Sequence, residues 1–483
     1  MTGAAEPLYI SGMTLWARQQ HLIDGGLTPG KGVVLREVTN PATGEPLAEI
    51  PIGTAADVDH AMAAATAAGP GWEALGADGR ARLVAEAVAR AVPHADELAR
   101  LQCLEMGQPW SVARPLVDAV LAGLPAATEA ARSYAWETRL AGDDDWGTDQ
   151  RRVPRGVGVL ISPWNFPLPV AMGGLAGLLA GGNTVVWKPS ELSPLSALRL
   201  AELLDLPAGV LNVVLGDAST GQALTSHPDN AITVFTGSVE AGRDVNRRCA
   251  ERFTPTLLEL GGKDPVVVDS DVDPALAAQT IAHGALWNSG QVCTSMERVY
   301  LSADIAERVV AELVKAASAA VVGDPLDPAT QLGPLASHAQ REQVHAHVRD
   351  AVAKGATLLL GGEIPDGPGF FYPPTVLTGV AEGMLLHDVE TFGPVISVTE
   401  VESFEEGLRR AATSDYALCA TLLTNDPAHA RRGREVPAAL CWVNAWQGGA
   451  PGMVYEPARL SGLGAVGTLD TFTRPTVLHR ARA

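Results

Sequence analysis

At roughly 100–200 residues per domain, the 483-residue chain has room for about two to four domains. Its content of 47% hydrophobic and 19% charged residues suits a packed core rather than a disordered chain. The net charge of −20 opposes phosphate backbones and anionic lipid, which argues against nucleic acid and membrane surfaces as partners.

The opening MTGAAEPLYI has no basic stretch followed by an apolar run, so no secretory signal is expected. The five cysteines are odd in number, widely spaced and without a CxxC pair. That argues against a disulfide framework or zinc site and for a reducing compartment, the cytoplasm. The segment Glu137 to Arg155 is polar, carries Asp143-Asp144-Asp145, and reads either as a projecting hairpin that meets another subunit or as a solvated loop. From Gly156 to Trp187 no residue is charged, a length that permits a membrane span. Pro163, Pro167 and Pro169 and the recurring glycines interrupt it, so strand, loop, helix and second strand are predicted instead.

Beyond this point β-branched runs alternate with Ala/Leu-rich segments. Val157–Ile161, Thr184–Trp187, Leu211–Val214 and Ile232–Phe235 form one series. Pro265–Val268, Arg298–Leu301, Thr357–Leu360, Val395–Val401 and Ala417–Leu423 form another. Alternation of this kind predicts an α/β fold of βαβ units with parallel sheets in two lobes, divided near Gly261-Gly262.

Several residues have two readings each. Cys293, among glycine and small polar residues, is either a buried small hydrophobe or a nucleophile whose pKa is lowered by a helix beginning just after it. Glu259, between leucines before two glycines, is either turned to solvent or a general base with a raised pKa. Asn165, held between prolines and aromatics, is either a turn residue or an oxyanion donor. Ser238 is a good N-cap for a helix whose free amides suit a pyrophosphate, although G-x-x-x-x-G is not the dinucleotide fingerprint. Lys188 and Glu191 follow a strand, where ribose hydroxyls bind in open α/β sheets; the plainer reading is an ordinary loop. Histidines form no ligand-like group, so no metal site is expected, and His345 and His347 read as surface residues.

Taken in order, PWNFP (Pro163–Pro167), GNTVVWKPSE (Gly182–Glu191), FTGS (Phe235–Ser238), LELGGKDP (Leu258–Pro265), GQVC (Gly290–Cys293) and ETFGPV (Glu390–Val395) resemble the aldehyde dehydrogenase superfamily almost end to end. The resemblance implies a Rossmann-like cofactor lobe (1–130 and 153–260), a catalytic lobe (261–469) and a bridging segment (131–152 with 470–483) that makes homodimers or homotetramers. It implies NAD-dependent oxidation of an aldehyde to its acid, with Cys293 as nucleophile, Asn165 and the Cys293 N–H as oxyanion hole, and Glu259 as the base that hydrolyses the thioester. Lys188 and Glu191 would hold the adenosine ribose, with Glu191 favouring NAD over NADP; Ser238 would meet the pyrophosphate, and Glu390 and Phe392 the nicotinamide ribose. Ile161, Ser162, Pro163, Trp164, Gly237 and Leu260 complete the implied cofactor site.

The chain also departs from the family. Where many relatives carry a bulky aromatic and then a lysine stand Gly173 and Gly174, and a glutamate common near the C-terminus is replaced by Val466. That lysine and glutamate can belong to one proton path in relatives, so the route of the deacylation proton is left open. Gly173 predicts a substrate bulkier than acetaldehyde, with Trp287, Trp446 and Tyr455 either at an apolar or aromatic mouth or in ordinary core packing, the latter reading at least as strong for Trp446, and Phe166, Val170, Val292 and Thr294 around the pocket. Two rival readings are acyl transfer at the same cysteine and a catalytically silent structural protein.

Overall fold

The computed structural model describes residues 7–10, 13–16, 18–143, 146–450 and 452–481; Asp144 and Asp145 of the acidic run lie outside them. Two large sheets organise the chain. The first has eight strands in the order Gly462–Leu463, Thr256–Glu259, Asn230–Thr236, Val157–Ile161, Thr184–Lys188, Leu211–Val213, His21–Ile23 and Gly26–Thr28. Its inner strands are parallel and continuously apolar, as strands covered on both faces must be. The second has seven strands, ordered Thr357–Leu360, Thr375–Thr378, Val395–Val401, Met296–Ser302, Asp264–Val268, Cys419–Leu423 and Leu440–Val443.

The uncharged stretch folds as its punctuation predicts. Val157–Ile161 is a buried strand, Pro169 starts the helix Pro169–Ala180 in a position that needs no N–H, and Thr184–Lys188 follows as the next strand. Among the described residues no helix is long and apolar enough to cross a membrane. All five cysteines are free thiols.

Glu137–Gly142 and Gly147–Pro154 form a hairpin, and Thr473–Arg480 pairs along its second strand. In the first sheet, Gly462–Leu463 supplies an edge strand beside Thr256–Glu259, so the chain returns from the second lobe to the first before it ends. His347 is a correction to the sequence reading: it is buried, with Nδ1 at 3.3 Å from Thr391 Oγ1. Its helix is packed over the second sheet rather than presented to water.

Candidate active site

The cysteine lies in a strained loop between the sheets. Asn288 (φ 50°), Ser289 (φ 57°) and Gly290 (φ 69°) take the left-handed conformation in succession. A Cβ on Gly290 would fall 2.0 Å from the Gly393 carbonyl oxygen, so only glycine fits there. Gln291 anchors the loop: its amide accepts from Ala336 N–H at 2.8 Å and donates to the Asn288 carbonyl at 3.2 Å. Cys293 emerges half-buried and reachable rather than sealed in the core.

No helix follows Cys293. The chain turns into the strand Met296–Ser302, so the helix dipole expected from sequence is absent. The thiol pKa is instead raised, by burial first and then by the carboxylate charges of Glu259, Glu390 and Asp264. In this arrangement the sulfur is held as a thiol until positive charge or neutral carboxyls offset those neighbours.

Asn165 and Glu259 converge on this loop from the first sheet. Asn165 follows the strand Val157–Ile161, is buried, and its Nδ2 donates to the Gln291 carbonyl at 2.9 Å. Its own carbonyl accepts from Asn288 Nδ2 at 3.2 Å. These bonds fix the amide beside the cysteine loop, and Nδ2 carries a second hydrogen for a developing oxyanion. Glu259 ends the strand Thr256–Glu259, which has neighbours on both sides, and is half-buried rather than turned out to solvent. Burial pushes its pKa up, while a hydrogen bond from Tyr455 Oη at 3.3 Å lowers it.

The other predicted residues divide into a crevice and a mouth. Strand order reverses at Val157–Ile161, whose neighbours are Thr184–Lys188 and Asn230–Thr236, and ligands of open α/β sheets bind at such a switch point. Ile161 is buried at its end, and Ser162 Oγ accepts from Trp187 Nε1 at 2.9 Å. Pro163 lies in the same loop, and Trp164 meets Phe392 edge-on at 5.3 Å, joining the two sheets across the crevice. Lys188 Nζ donates to the Pro189 carbonyl at 3.0 Å and lies 3.5 Å from Glu191, whose other oxygen is 3.7 Å from Arg36. Ser238 caps the helix Val239–Ala250 by accepting from Ala241 N–H at 3.2 Å, leaving the other first-turn amides facing outward. Gly237 N–H donates to the Glu259 carbonyl at 3.1 Å, and Leu260 N–H to the Ser461 carbonyl at 2.9 Å.

Glu390 enters from the second sheet. Its Oε1 accepts from Gly262 N–H at 2.9 Å, and a Cβ on Gly261 would fall 2.3 Å from its Oε2, so the glycine pair makes its place. Burial and the charge of Glu297 push its pKa up to about 8. A lysine–carboxylate pair, an exposed helix N-terminus and an aromatic bridge around one switch point fit a nicotinamide dinucleotide.

Sequence reasoning missed what holds Glu390 and Phe392. Lys263 and Glu297 form a fully buried ion pair. Glu297 also accepts from the backbone N–H of Thr391 and Phe392 at 2.9 Å each, and Lys263 Nζ donates to Thr391 Oγ1 at 3.2 Å. A charged lysine directly after two glycines and before an apolar strand was the available signal. Its partner, 34 residues further on, was not visible without the fold.

The mouth is aromatic. Phe166 stacks on Trp287 with ring centroids 5.2 Å apart, and Trp287 meets Trp446 edge-on at 5.6 Å. Trp446 Nε1 donates to the Thr294 carbonyl at 2.9 Å, tying this wall to the residue after Cys293. Val292 and Val170 pack with Phe166. Gly173, three residues beyond Val170 on the same helical face, has no atom within 4 Å of a built Cβ. Gly174 is the opposite: its Cβ would lie 2.8 Å from Leu160 and from Val234. Glu456 and Arg459 fill their own neighbourhood, Glu456 accepting from Gly464 N–H at 3.3 Å and Arg459 donating to the Ser414 carbonyl.

Known proteins agree with this architecture. The aldehyde dehydrogenase family matches residues 30–478. A phenylacetaldehyde dehydrogenase of Pseudomonas fluorescens is 38% identical over 466 residues, covering 92% of each chain. A betaine aldehyde dehydrogenase of Cereibacter sphaeroides is 36% identical over 457 residues, again 92% of each. The crystal structure of an NAD-dependent aldehyde dehydrogenase from Sinorhizobium meliloti superposes with a TM-score of 0.92 at 32% identity, covering 96% of this chain and 94% of that one. The chain belongs to the aldehyde dehydrogenase family. It is an oxidoreductase that oxidises an aldehyde group with NAD as its cofactor.

Proposed function

We propose that this enzyme oxidises an apolar or aromatic aldehyde larger than acetaldehyde through a thioester on Cys293. The observation that carries the reading is the convergence at one loop: the Asn165 amide is bonded to the Gln291 carbonyl, and Gly262, three residues after Glu259, packs so closely that a Cβ on it would fall 2.3 Å from the Cys293 carbonyl oxygen.

Once the positive charge of bound NAD offsets its acidic neighbours, Cys293 would release its proton to solvent, and the thiolate attacks the carbonyl carbon, forming a C–S bond as the C=O π pair moves onto oxygen and leaves it negatively charged. The Asn165 Nδ2–H and the Cys293 backbone N–H stabilise that charge, each preorganised donor contributing roughly 3–4 kcal/mol. NAD, when bound, would supply the hydride acceptor for the oxidation, leaving the acyl group on Cys293 as a thioester. Glu259 then removes a proton from water as the water oxygen attacks the acyl carbon; the C–S bond breaks and the acid leaves. A raised Glu259 pKa suits a base working near neutrality.

Lys188, Glu191 and the Ser238 helix end hold the adenosine half of NAD in this reading, and Glu390 and Phe392 the other half. Glu191 would repel a 2′-phosphate and so favours NAD over NADP. The first sheet, with 1–130 and 153–260, would then form the cofactor lobe, and 261–469 the catalytic lobe, which lends the Gly462–Leu463 edge strand to the first sheet. Segments 131–152 and 470–483 would join subunits into a homodimer or homotetramer; Leu140, Val477 and Leu478, all exposed on that sheet, support this. The enzyme would work in the cytoplasm, where its free thiols stay reduced.

The phenylacetaldehyde and betaine aldehyde relatives suggest two substrate types. Open space at Gly173 and the stacked Phe166–Trp287 pair suit a flat aryl group. The test is kcat/KM over acetaldehyde, hexanal, phenylacetaldehyde and betaine aldehyde, followed by NADH absorbance. Phenylacetaldehyde should lead by roughly 10- to 100-fold over acetaldehyde, the span that a few buried methylene-sized contacts provide. A preference for acetaldehyde overturns the substrate reading, and a Cys293→Ala enzyme that still turns over overturns the mechanism.

A further inference from the structure

Gly174 and Val466 stand where many relatives carry a lysine and a glutamate that can belong to one proton path. A lysine cannot simply be returned to residue 174, because its Cβ would press on Leu160 and Val234 at 2.8 Å. Val466, at the glutamate's place, takes part through its backbone. It donates its N–H to the Tyr455 carbonyl at 2.8 Å and accepts the Tyr455 N–H at 3.3 Å.

That bridge closes a loop whose far limb is zippered to the strand carrying the glutamate. Gly462 pairs with Glu259 and Leu463 with Leu258, while Leu260 N–H donates to the Ser461 carbonyl. The loop is also pinned internally by Glu456 and Gly464. Tyr455 is thus registered against Glu259 by backbone pairing on both limbs, and its hydroxyl reaches Glu259 Oε2 at 3.3 Å. Among the described residues it is the one side chain that hydrogen-bonds this carboxylate.

We propose that Tyr455 is a positioning residue for Glu259, its hydroxyl holding the carboxylate turned toward the Cys293 acyl group in place of the lysine and glutamate lost at 174 and 466. The inference rests on Glu259 acting as the hydrolytic base. Burial and the neighbouring Glu259 push the phenol pKa up, so the hydroxyl stays a donor throughout the working range. The bond favours the ionised carboxylate, so losing it raises the pH at which Glu259 becomes active.

The experiment uses the full-length enzyme as Tyr455→Phe, Tyr455→Leu and Glu259→Gln, with a good aldehyde substrate and NAD. Tyr455→Phe should lower kcat by roughly tenfold or somewhat more, the lower end of the effect of one hydrogen bond to an ionised acceptor. It should produce a pre-steady-state burst of NADH, which counts folded active sites directly, and move the acid limb of the kcat profile to higher pH. KM for the aldehyde should hold within about twofold, since the ring remains. Tyr455→Leu should move the limb equally and raise KM as well. If neither variant moves the limb or kcat, Tyr455 is only a wall of the pocket and the proposal is overturned, while Glu259→Gln that bursts without turnover leaves the base assignment standing. If Glu259→Gln turns over normally, the base assignment fails and takes this inference with it.

Discussion

Gly173 and Gly174 are adjacent in one helix, yet the protein uses them in opposite ways. A side chain at 173 would meet nothing within 4 Å, whereas one at 174 would meet Leu160 and Val234 at 2.8 Å. The same contrast separates the mouth from the crevice. The proposed mouth is built from stacked rings beside free space, so it would change what it admits without touching the frame. The crevice is built from buried charge and glycines that leave no slack, so changes there would damage the fold and the proposed cofactor site together.

The largest effect should come from the buried pair behind the crevice. Lys263→Met leaves Glu297 buried without its partner, a change that costs about 3–5 kcal/mol. Because Glu297 also carries the Thr391 and Phe392 amides, the loop that presents Glu390 should loosen as well. Thermal unfolding and NAD titration of the variant check this. A tightly binding variant of unchanged Tm would mean that the pair is not what holds the loop.

The glycine pair offers a smaller and more selective effect. Gly174→Ala forces Leu160 or Val234 to yield and should cost about 1–3 kcal/mol as overpacking, with little change in substrate ranking. Gly173→Phe should keep the free energy of unfolding within about 0.5 kcal/mol of the parent, in line with surface substitutions, yet lower kcat/KM for phenylacetaldehyde about tenfold more than for acetaldehyde. Equal losses on both aldehydes would show that residue 173 does not border the substrate.

The parts legible from sequence were those written in local chemistry. Continuous apolar runs gave the inner strands, and the prolines around Asn165 marked a break between strand and helix. Cys293, Glu259 and Asn165 were each ambiguous alone, and their order along the chain carried the resemblance. Long-range burial was not legible. The expected helix dipole at Cys293 is absent because the chain enters a strand, and His347 is buried because its helix lies against the second sheet. Tyr455 was read as pocket lining; its bond to Glu259 depends on an edge strand that returns from the second lobe, a pairing no local pattern announces.

The finest distinction between crevice and mouth lies in Glu390, the crevice residue whose protonation the fold adjusts within reach of experiment. With its pKa pushed up to about 8, the carboxyl is mostly protonated at neutrality and ionised above that value. If Glu390 holds the ribose as proposed, a ribose hydroxyl donates better to the ionised form, so NAD should bind more tightly as pH rises through 8, and binding should in turn lower the carboxyl's pKa. KM for NAD should therefore fall by roughly three- to fivefold between pH 7 and pH 9, the scale of one strengthened hydrogen bond. Glu390→Gln cannot ionise and should give a flat profile while keeping the acceptor oxygen for Gly262 N–H. A profile in Glu390→Gln as steep as the parent's would transfer the titration to another group, with Glu259 the next raised carboxyl in the same cleft. A fall that disappears only in Glu390→Gln, with aldehyde KM unmoved, would assign it to the crevice and leave the mouth insensitive to pH.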